Sequence, residues 1–396
     1  MATQTQELLK QVNHIGDYGE KIAIVSGNNC CTYSELSNMI IKLKTFFVEA
    51  NVKKNDSILI IGDRSITGIA LILASISLGV MYIPVTSSNS VEFINKIAND
   101  CNAKLVFDSS IDQLFINHKN ILSTIEIINN QDVLINSNLF NEIDVEGDDK
   151  FYTIYTSGTT GASKKVETTI NNVSRLFDWY ANYFRINFNS VIYLLTSIGF
   201  DLTQRNIICP LLKGSTLILP SFESGFDGDE IFDQLTRNRV THCILTPSML
   251  KTLKENYNLE KQFMRIEHLI LGGELLRCLD INWIFKGDNH PTVSNLYGVT
   301  EDSGCATVYS FSDTLKGEIV PIGKPIPGKG VYIKGDEEIG EICISGFGIT
   351  NQSNVFIHDG IKYYNSGDLG RYNGDGNIEL IGRSDRVVKL NGKELI

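Results

Sequence analysis

The sequence predicts an α/β fold in which two doubly wound α/β subdomains follow each other and a small distorted β-barrel comes last. Three observations support this prediction. Short β-rich runs alternate with helical periods over most of the chain, as they do in parallel sheets that helices cover on both faces. The alternation starts afresh after Phe151. Beyond roughly Ser310 the helical periods stop, and short strands separated by glycines follow.

The first predicted subdomain covers about residues 1–150. Its strands are KIAIVS, SILIIG, MYIPV and KLVFD, and helices are expected between them, beginning with one from about Ser34 to Ala50. The apolar run from Ile69 to Val85 approaches the length of a membrane span, but serines, a glycine and a proline interrupt it. We therefore expect a buried helix that ends near Gly79, followed by a short strand.

The second predicted subdomain covers about residues 151–309, and the barrel-like part covers about residues 310–385. Strands of the second subdomain are FYTIYT, SVIYLLT, STLIL, HCILT, HLILGG and VSNLYG, with helical periods between them. In the barrel-like part the strands are GVYIKG, GEICISG, KYYNSGDLGRY and NIELIGR. The sequence thus predicts three packing units within one continuous core.

Composition and charge exclude several classes of protein. The chain has 396 residues, of which 42% are hydrophobic and 20% charged, which is typical of a folded globular protein. Its 35 basic and 46 acidic residues leave a net charge of −11, which disfavours nucleic acid and anionic membranes as partners. The eight cysteines show no zinc-ligand spacing and no secretory disulfide pattern, and the first residues lack the features of a signal peptide. We expect a cytoplasmic protein with reduced thiols.

The most informative segment is FYTIYTSGTTGASKKV, where a β-rich run enters a loop of hydroxyl residues and glycines. Glycines allow backbone N–H groups to turn toward one centre, hydroxyl groups add donors, and a lysine adds positive charge, so the loop suits the phosphates of a nucleotide. The spacing differs from that of a Walker A loop. A surface turn rich in serine, threonine and glycine is the alternative interpretation. The residues assigned to phosphate binding are Thr156, Ser157, Gly158, Thr159, Thr160, Gly161 and Lys164.

Nine motifs in order along the chain resemble those of the ANL adenylating enzymes, and within them the adenylation domains of nonribosomal peptide synthetases. The motifs are TYSEL, YIPV, YTSGTTGASKK, GFDLT, GGE, NLYGVTE, GEICISGFG, SGDLGRY and GRSDRVVKLNG. Each motif alone is weak or of middling specificity, but their shared order covers nearly the whole chain. The resemblance implies the fold of the large N-terminal domain of that family.

The resemblance also implies a reaction, in which a substrate carboxylate attacks the α-phosphate of ATP, pyrophosphate leaves, and an acyl-adenylate forms. ATP and Mg²⁺ are the cofactors implied. Lys164 and Thr300 would contact phosphate, and Glu301 would bind Mg²⁺, which prefers carboxylate and phosphate oxygens. Tyr297 would lie against the adenine, and Asp368 and Arg383 would contact the ribose. The residues assigned to adenine and ribose are Gly273, Glu274, Asn295, Leu296, Tyr297, Gly298, Asp368 and Arg383.

An amino-acid pocket follows from the same resemblance, and its key residue is Asp201, whose carboxylate would pair with the substrate ammonium. An N-cap of the predicted helix is the alternative role for Asp201. Arg205 either faces the cavity and selects an acidic or polar side chain, or exposes its guanidinium to solvent and leaves a pocket for an apolar amino acid. The residues assigned to the pocket are Asp201, Leu202, Arg205, Ile244, Ile270, Gly272, Leu296, Gly304 and Cys305.

The chain stops shortly after the hinge-like GRSD motif, in which Asp385 is the expected hinge residue. We expect residues 1–385 to form the N-terminal core and residues 386–396 to begin a truncated C-terminal subdomain. In the family that subdomain carries a catalytic lysine, so we expect this chain to bind ATP but to adenylate poorly.

Amino-acid adenylation is therefore the predicted function, with loading onto the phosphopantetheine thiol of a peptidyl carrier protein and with neighbouring synthetase domains as possible partners. Two alternatives remain open. One is an acyl-CoA synthetase or aryl-acid ligase of the same fold, which Asp201 and GGE disfavour. The other is a nucleotide-binding module without catalysis. Paired carboxylates for hydrolysis would leave the phosphate-binding loop unexplained.

Overall fold

The computed structural model of the chain describes residues 4–109, 121–130, 145–157, 163–220, 228–256, 265–286, 289–335, 338–350, 354–384, 388–390 and 393–395. The chain divides into two compact units, which we call unit 1 and unit 2. Unit 1 consists of Met1–Thr156, Lys164–Ser190 and Thr196–Ser221. Unit 2 consists of Ser157–Ser163, Val191–Leu195 and Phe222–Ile396.

The elements between residues 4 and 220 lie mostly in unit 1. In chain order they are α1 (Gln4–Asn13), a 3-10 turn (Ile15–Tyr18), β1 (Ile22–Ser26), β2 (Asn29–Thr32), α2 (Tyr33–Glu49), β3 (Ser57–Ile61), α3 (Ile66–Ser77), β4 (Met81–Val85), α4 (Val91–Asp100), β5 (Leu105–Asp108), β6 (Ile121–Ser123), α5 (Thr124–Asn129), β7 (Lys150–Ser157), β8 (Ser163–Thr169), α6 (Ile170–Tyr183), β9 (Val191–Leu194), α7 (Asp201–Leu212) and β10 (Thr216–Leu219).

The elements after residue 228 belong to unit 2. They are α8 (Gly228–Arg237), β11 (His242–Leu245), α9 (Pro247–Asn256), β12 (His268–Gly272), α10 (Cys278–Ile281), a 3-10 turn (Asn282–Lys286), β13 (Thr292–Tyr297), a 3-10 turn (Thr300–Asp302), β14 (Thr307–Phe311), β15 (Lys324–Pro325), β16 (Lys329–Lys334), β17 (Gly340–Gly346), β18 (Val355–His358), β19 (Ile361–Tyr372), β20 (Ile378–Arg383), β21 (Val388–Leu390) and β22 (Lys393–Leu395).

Unit 1 contains a six-stranded sheet with the order β6-β5-β3-β4-β7-β8. Strands β3, β4 and β5 are parallel neighbours, and every residue of β3 and β4 is buried, which explains their unbroken apolar sequences. Helix α4 packs Ile94 and Ile97 into the core that these strands share. Strands β10, β1 and β2 are also neighbours in unit 1.

Helix α2 begins at Tyr33 because a capping box precedes it. The Thr32 hydroxyl accepts a hydrogen bond from the backbone N–H of Glu35, and the Glu35 carboxylate accepts one from the N–H of Thr32. Helix α3 begins after Ser65, whose hydroxyl accepts the N–H of Gly68, and ends at Ser77. The apolar run that approached the length of a membrane span is therefore this buried helix followed by β4, as predicted.

In unit 2 the strand order is β15-β14-β13-β12-β11-β9. Strands β9, β11, β12 and β13 are parallel, whereas β14 and β15 are antiparallel. A second, five-stranded antiparallel sheet has the order β16-β17-β19-β18, with β20 beside β19. Tyr297 of β13 packs with Ile322, Ile342, Ile344 and Ile378 in one apolar cluster. This cluster ties the end of β13 to the region that was predicted to be barrel-like.

The predicted α/β class and the predicted order of strands and helices are confirmed. The sequence analysis did not identify several short elements, namely α1, β2, β6, α5, β8, α10, β14, β15, β18, β21 and β22. In the part of the chain that the structure describes, no helix is long and apolar enough to cross a membrane. All eight cysteines are free thiols.

Candidate functional site

The residues assigned to nucleotide and substrate fall in both units, and each group is described within its own unit. Unit 2 holds the residues assigned to adenine, ribose and metal, together with six of the nine pocket residues. Unit 1 holds Asp201, Leu202 and Arg205. Residues 158–162 of the predicted phosphate-binding loop and the predicted hinge residue Asp385 lie outside the described residues.

Strand pairing in unit 2 sorts the predicted residues onto two faces of the sheet. Ile244 pairs with Ile270, and Gly272 pairs with Leu296, so these four pocket residues share one face. Tyr297 follows Leu296 directly, and its side chain therefore lies on the opposite face. The sheet thus separates these four pocket residues from the tyrosine assigned to adenine.

Tyr297, Asp368 and Arg383 form a hydrogen-bonded network. The Tyr297 hydroxyl donates to Oδ2 of Asp368 over 2.8 Å, and Nη1 of Arg383 donates to Oδ1 over 3.2 Å. The Ser366 hydroxyl accepts a hydrogen bond from the backbone N–H of Asp368 over 3.0 Å. Strand pairing places Asp368 of β19 opposite Arg383 of β20. Three residues that sequence assigned to one nucleotide are therefore in contact.

The electrostatics of this network follow from its burial. Burial raises the pKa of Tyr297 well above its ordinary value, and the negative charge of Asp368 raises it further. The phenol therefore stays protonated near neutral pH and acts as a donor to the carboxylate. A carboxylate can accept about four hydrogen bonds, so this network is compatible with further hydroxyl donors such as those of a ribose.

Thr300 and Glu301 lie in the 3-10 turn Thr300–Asp302, directly after β13. After the turn, the backbone at Cys305 lies close to Gly298. A Cβ at Gly298 would come within 2.4 Å of the Cys305 backbone nitrogen, so only glycine fits there. Thr350 donates to the carbonyl of Glu301 from its N–H at 2.8 Å and from its hydroxyl at 3.1 Å. Both predicted catalytic residues of this motif thus sit on a closely held turn.

Tyr364 of β19 lies near the Glu301 side chain. Burial raises the pKa of Tyr364, and the Glu301 charge raises it further, so the phenol remains a donor. Glu301 is half-buried, which leaves part of the residue accessible. Tyr364 was not identified from the sequence, because its partner is distant along the chain.

An ion pair between Asp302 and Lys329 encloses the end of the same turn. The Lys329 ammonium bonds Oδ1 of Asp302 and, over 3.1 Å, its backbone carbonyl. Both side chains are 0% exposed. The ammonium also lies 4.6 Å from the centre of the Phe347 ring. Prediction from sequence missed this pair, since Lys329 lies 27 residues away in a strand with no distinctive motif.

Two residues assigned to adenine or ribose have side chains that form hydrogen bonds within the protein. Glu274 accepts the N–H and the hydroxyl of Ser248, each at 2.8 Å, and so stabilises the N-terminus of α9. Asn295 donates to the carbonyl of Pro321 over 3.0 Å. If these two residues contact a nucleotide, we expect them to do so mainly through their backbone groups or through side-chain atoms that these hydrogen bonds do not use.

The remaining pocket residues of unit 2 are Gly304 and Cys305, which follow the turn. Gly304 has a φ of +76°, and its N–H donates to the carbonyl of Val299 over 3.0 Å. Cys305 is fully buried. Their closeness in sequence to Glu301 places one end of the predicted pocket beside the predicted metal ligand.

In unit 1, Asp201 is the first residue of α7 and is half-buried. The N-cap is Phe200, so the hypothesis that Asp201 caps this helix is wrong. Its Oδ1 accepts the N–H of Leu202 over 2.6 Å, a contact within the first turn. The carboxylate raises the pKa of the buried Tyr152, burial being the larger cause, and Arg205 lowers it.

Arg205 is 3% exposed, and its guanidinium carbon lies 5.3 Å from the centre of the Tyr180 ring on α6. The hypothesis that this guanidinium extends into solvent is therefore wrong. The first helical turn brings Asp201 and Arg205 to the same face of α7. A cation is thus available within unit 1, so the presence of Asp201 does not by itself require a cationic substrate.

Lys164 and Thr156 flank the predicted phosphate-binding loop. Thr156 lies in β7 and Lys164 in β8, and both are half-buried. The two strands are neighbours in the six-stranded sheet. The ends of the loop are therefore held close together by strand pairing.

The sequence matches the AMP-binding enzyme family over residues 12–352. The chain belongs to this family. It is 30% identical over 399 residues to gramicidin S synthase 2 of Brevibacillus brevis, and the aligned region covers 95% of this chain and 9% of that protein. It is 27% identical over 402 residues to tyrocidine synthase 1 of Brevibacillus parabrevis, and the aligned region covers 96% of this chain and 36% of that protein. The family predicted from the motifs is confirmed.

Solved structures support the fold. The N-terminal subdomain of Klebsiella oxytoca NpsA, in complex with 3-hydroxybenzoyl-AMSN, has a TM-score of 0.82 at 20% identity and covers 95% of this chain and 99% of that one. The nonribosomal peptide synthetase FmoA3 has a TM-score of 0.85 at 19% identity and covers 95% of this chain and 42% of that one. This AMP-binding enzyme has the fold of these domains. It spans 9% and 36% of the two synthases named above.

The residues of unit 2 fit the groups that the family implies. Mg²⁺ is commonly bound through one or two carboxylates and the phosphates of the substrate. The described residues contain no group of three or more potential metal ligands, so a site made of protein ligands alone is not found among them. Glu301 alone, half-buried on a fixed turn, matches the simpler arrangement.

Proposed function

We propose that this AMP-binding enzyme is an amino-acid adenylation domain of a nonribosomal peptide synthetase. The proposed reaction joins the carboxylate of an amino acid to the α-phosphate of ATP and releases pyrophosphate. The observation that carries the proposal is the contact among Tyr297, Asp368 and Arg383 in unit 2, because three residues from separate motifs that were assigned to one nucleotide contact one another. The similarity to peptide synthases supports the same function.

Each predicted residue has a physical task in this proposal. Asp368 would accept the ribose hydroxyls, with Tyr297 and Arg383 fixing the orientation of its carboxylate. Thr300 would donate to the α-phosphate, and Glu301 would hold Mg²⁺, which neutralises phosphate charge when bound. Lys164 would add positive charge at the phosphates. Asp201 would bind the ammonium of the amino acid.

The proposal is tested by calorimetry on the 396-residue chain. We expect binding of Mg·ATP and tighter binding of one or a few non-hydrolysable aminoacyl-adenylate analogues. Asp201→Asn should weaken the binding of the preferred aminoacyl-adenylate analogue by about 1.5–3 kcal/mol, the value of a charge-assisted hydrogen bond. It should leave the affinity for ATP unchanged. Asp178→Asn on α6 makes the same change of charge at an exposed position and serves as the control.

Other outcomes would point to other functions. Preference for a benzoyl- or fatty-acyl-adenylate analogue over every aminoacyl analogue would indicate an aryl-acid ligase or acyl-CoA synthetase. Binding of ATP with no acyl-adenylate analogue bound more tightly would indicate a nucleotide-binding module. Loss of ATP affinity in Asp201→Asn would show that Asp201 acts on the nucleotide or on folding.

Partners and location follow from the same proposal. The product would be transferred to the phosphopantetheine thiol of a peptidyl carrier protein, and one solved neighbour is an artificially fused adenylation and carrier di-domain. We place the protein in the cytoplasm, because its eight free thiols suit a reducing compartment.

A further inference from the structure

The ion pair Asp302–Lys329 is unusual for its burial. Its two side chains are 0% exposed, whereas the pair Lys54–Asp149 in unit 1 has side chains 35% and 8% exposed. Removing two charges from water is costly, and a buried pair is often no more stabilising than apolar residues of similar size. A pair at this position therefore calls for a role other than stability.

The geometry around the pair gives that role. Lys329 bonds both the side chain and the carbonyl of Asp302, the last residue of the turn that carries Glu301. One residue later, the Ser303 hydroxyl donates to the carbonyl of Gly348 over 3.1 Å. A Cβ on Gly348 would come within 2.8 Å of the Lys329 ammonium and within 3.1 Å of the Asp302 carbonyl. The ammonium thus occupies a space that the chain keeps open by means of a glycine.

We propose that Lys329 is a positioning residue, which fixes the turn Thr300–Asp302 so that the Glu301 carboxylate is presented for a divalent cation. This inference rests on the proposed function, because it assigns the metal to Glu301. Lys329 acts through Asp302, while Thr350 holds the carbonyl of Glu301. Loss of the ammonium would release the far end of the turn.

Three variants separate positioning from stability. Lys329→Met keeps most of the length of the side chain, removes the ammonium and leaves the Asp302 charge buried. Asp302→Asn/Lys329→Met removes both charges, so its global stability should return toward that of the wild type, but the turn then lacks the bonds from the Lys329 ammonium. Lys54→Met makes the same change of charge beside Asp149 and serves as the control.

The first measurement is hydrogen exchange of the full chain, without ligand. The N–H groups of Asp302, Ser303 and Gly304 bond carbonyls of Val299 and Thr300, so their exchange reports on the turn. We expect faster exchange there in both Lys329 variants and unchanged exchange in Lys54→Met, with the buried helix α3 as the internal reference. Unchanged exchange of the turn in both Lys329 variants would overturn the inference.

The second measurement is ATP affinity with Mg²⁺ and with a chelator. Loss of a residue that orients a metal ligand typically costs about 10- to 100-fold in metal affinity, so Mg²⁺ should be needed at about 10- to 100-fold higher concentration in both Lys329 variants. With the chelator present, the ATP affinity of both Lys329 variants should match that of the wild type. The Mg²⁺ concentration that Lys54→Met needs should also match that of the wild type. An unchanged Mg²⁺ response despite faster exchange would overturn the metal role. A wild-type chain that binds no ATP would overturn the proposed function, and the exchange result would still decide whether Lys329 holds the turn.

Discussion

The turn Thr300–Asp302 and the first turn of α7 both present a carboxylate assigned to substrate or metal, but different forces hold them. Contacts from residues 27 and 49 positions away fix the turn. Helix α7 begins through local backbone hydrogen bonds, and Oδ1 of Asp201 accepts the N–H of its neighbour Leu202. The turn therefore depends on tertiary structure, whereas the helix start depends mainly on local sequence.

The largest expected effect concerns Lys329. Lys329→Met should lower the free energy of unfolding by about 3–5 kcal/mol, because it leaves a buried carboxylate without its cation. Lys54→Met should cost about 1 kcal/mol or less, since its lysine is partly exposed and Asn55 still bonds Asp149. Urea unfolding of both variants measures the difference. Equal losses would show that the enclosed pair is no more important than the exposed one.

Gly348 comes next. Gly348 has a φ of +91°, and an alanine there would also displace the Lys329 ammonium, so Gly348→Ala should cost at least about 2 kcal/mol. Gly360 has a φ of +74° with nothing within 4 Å of a new Cβ, so Gly360→Ala should show the backbone strain alone. The difference between the two in thermal unfolding isolates the crowding. A larger loss for Gly360→Ala would contradict the tight packing of the turn.

The third effect concerns Arg205 on α7. Arg205→Met should lower the free energy of unfolding by about 1–2 kcal/mol, because it removes a buried cation from the face of Tyr180. Arg175→Met on the exposed face of α6 is the control and should change stability by less than about 0.5 kcal/mol. Denaturant titration tests both. A neutral Arg205→Met would mean that its contact with Tyr180 contributes little.

The smallest expected effect is that of Asp201. Asp201→Asn should lower stability by about 0.3–1 kcal/mol, the value of a negative charge at the N-terminus of a helix. The measurement is the shift in urea midpoint, with Asp178→Asn as the reference. A loss of several kcal/mol would show that Asp201 is a structural residue held by a tertiary network, as Asp302 is.

Prediction succeeded where the signal was local. Helix α2 and the apolar strands β3 and β4 were predicted from their own segments, because periodicity and unbroken apolar runs depend on residues close in sequence. The contact of Tyr297, Asp368 and Arg383 was expected only through the resemblance of three motifs to one family. Nothing in their spacing alone predicts that β19 and β20 bring them together.

The sequence by itself determined the α/β class, the family and the segments that carry the candidate residues, because periodicity and motifs are properties of short stretches. Only the tertiary structure decided what those residues touch. It placed Glu274 on the end of α9 and Arg205 over Tyr180. It also enclosed Lys329 with Asp302. The physical reason is that burial and pairing depend on strand order and on contacts between residues far apart in the chain, which local patterns do not encode.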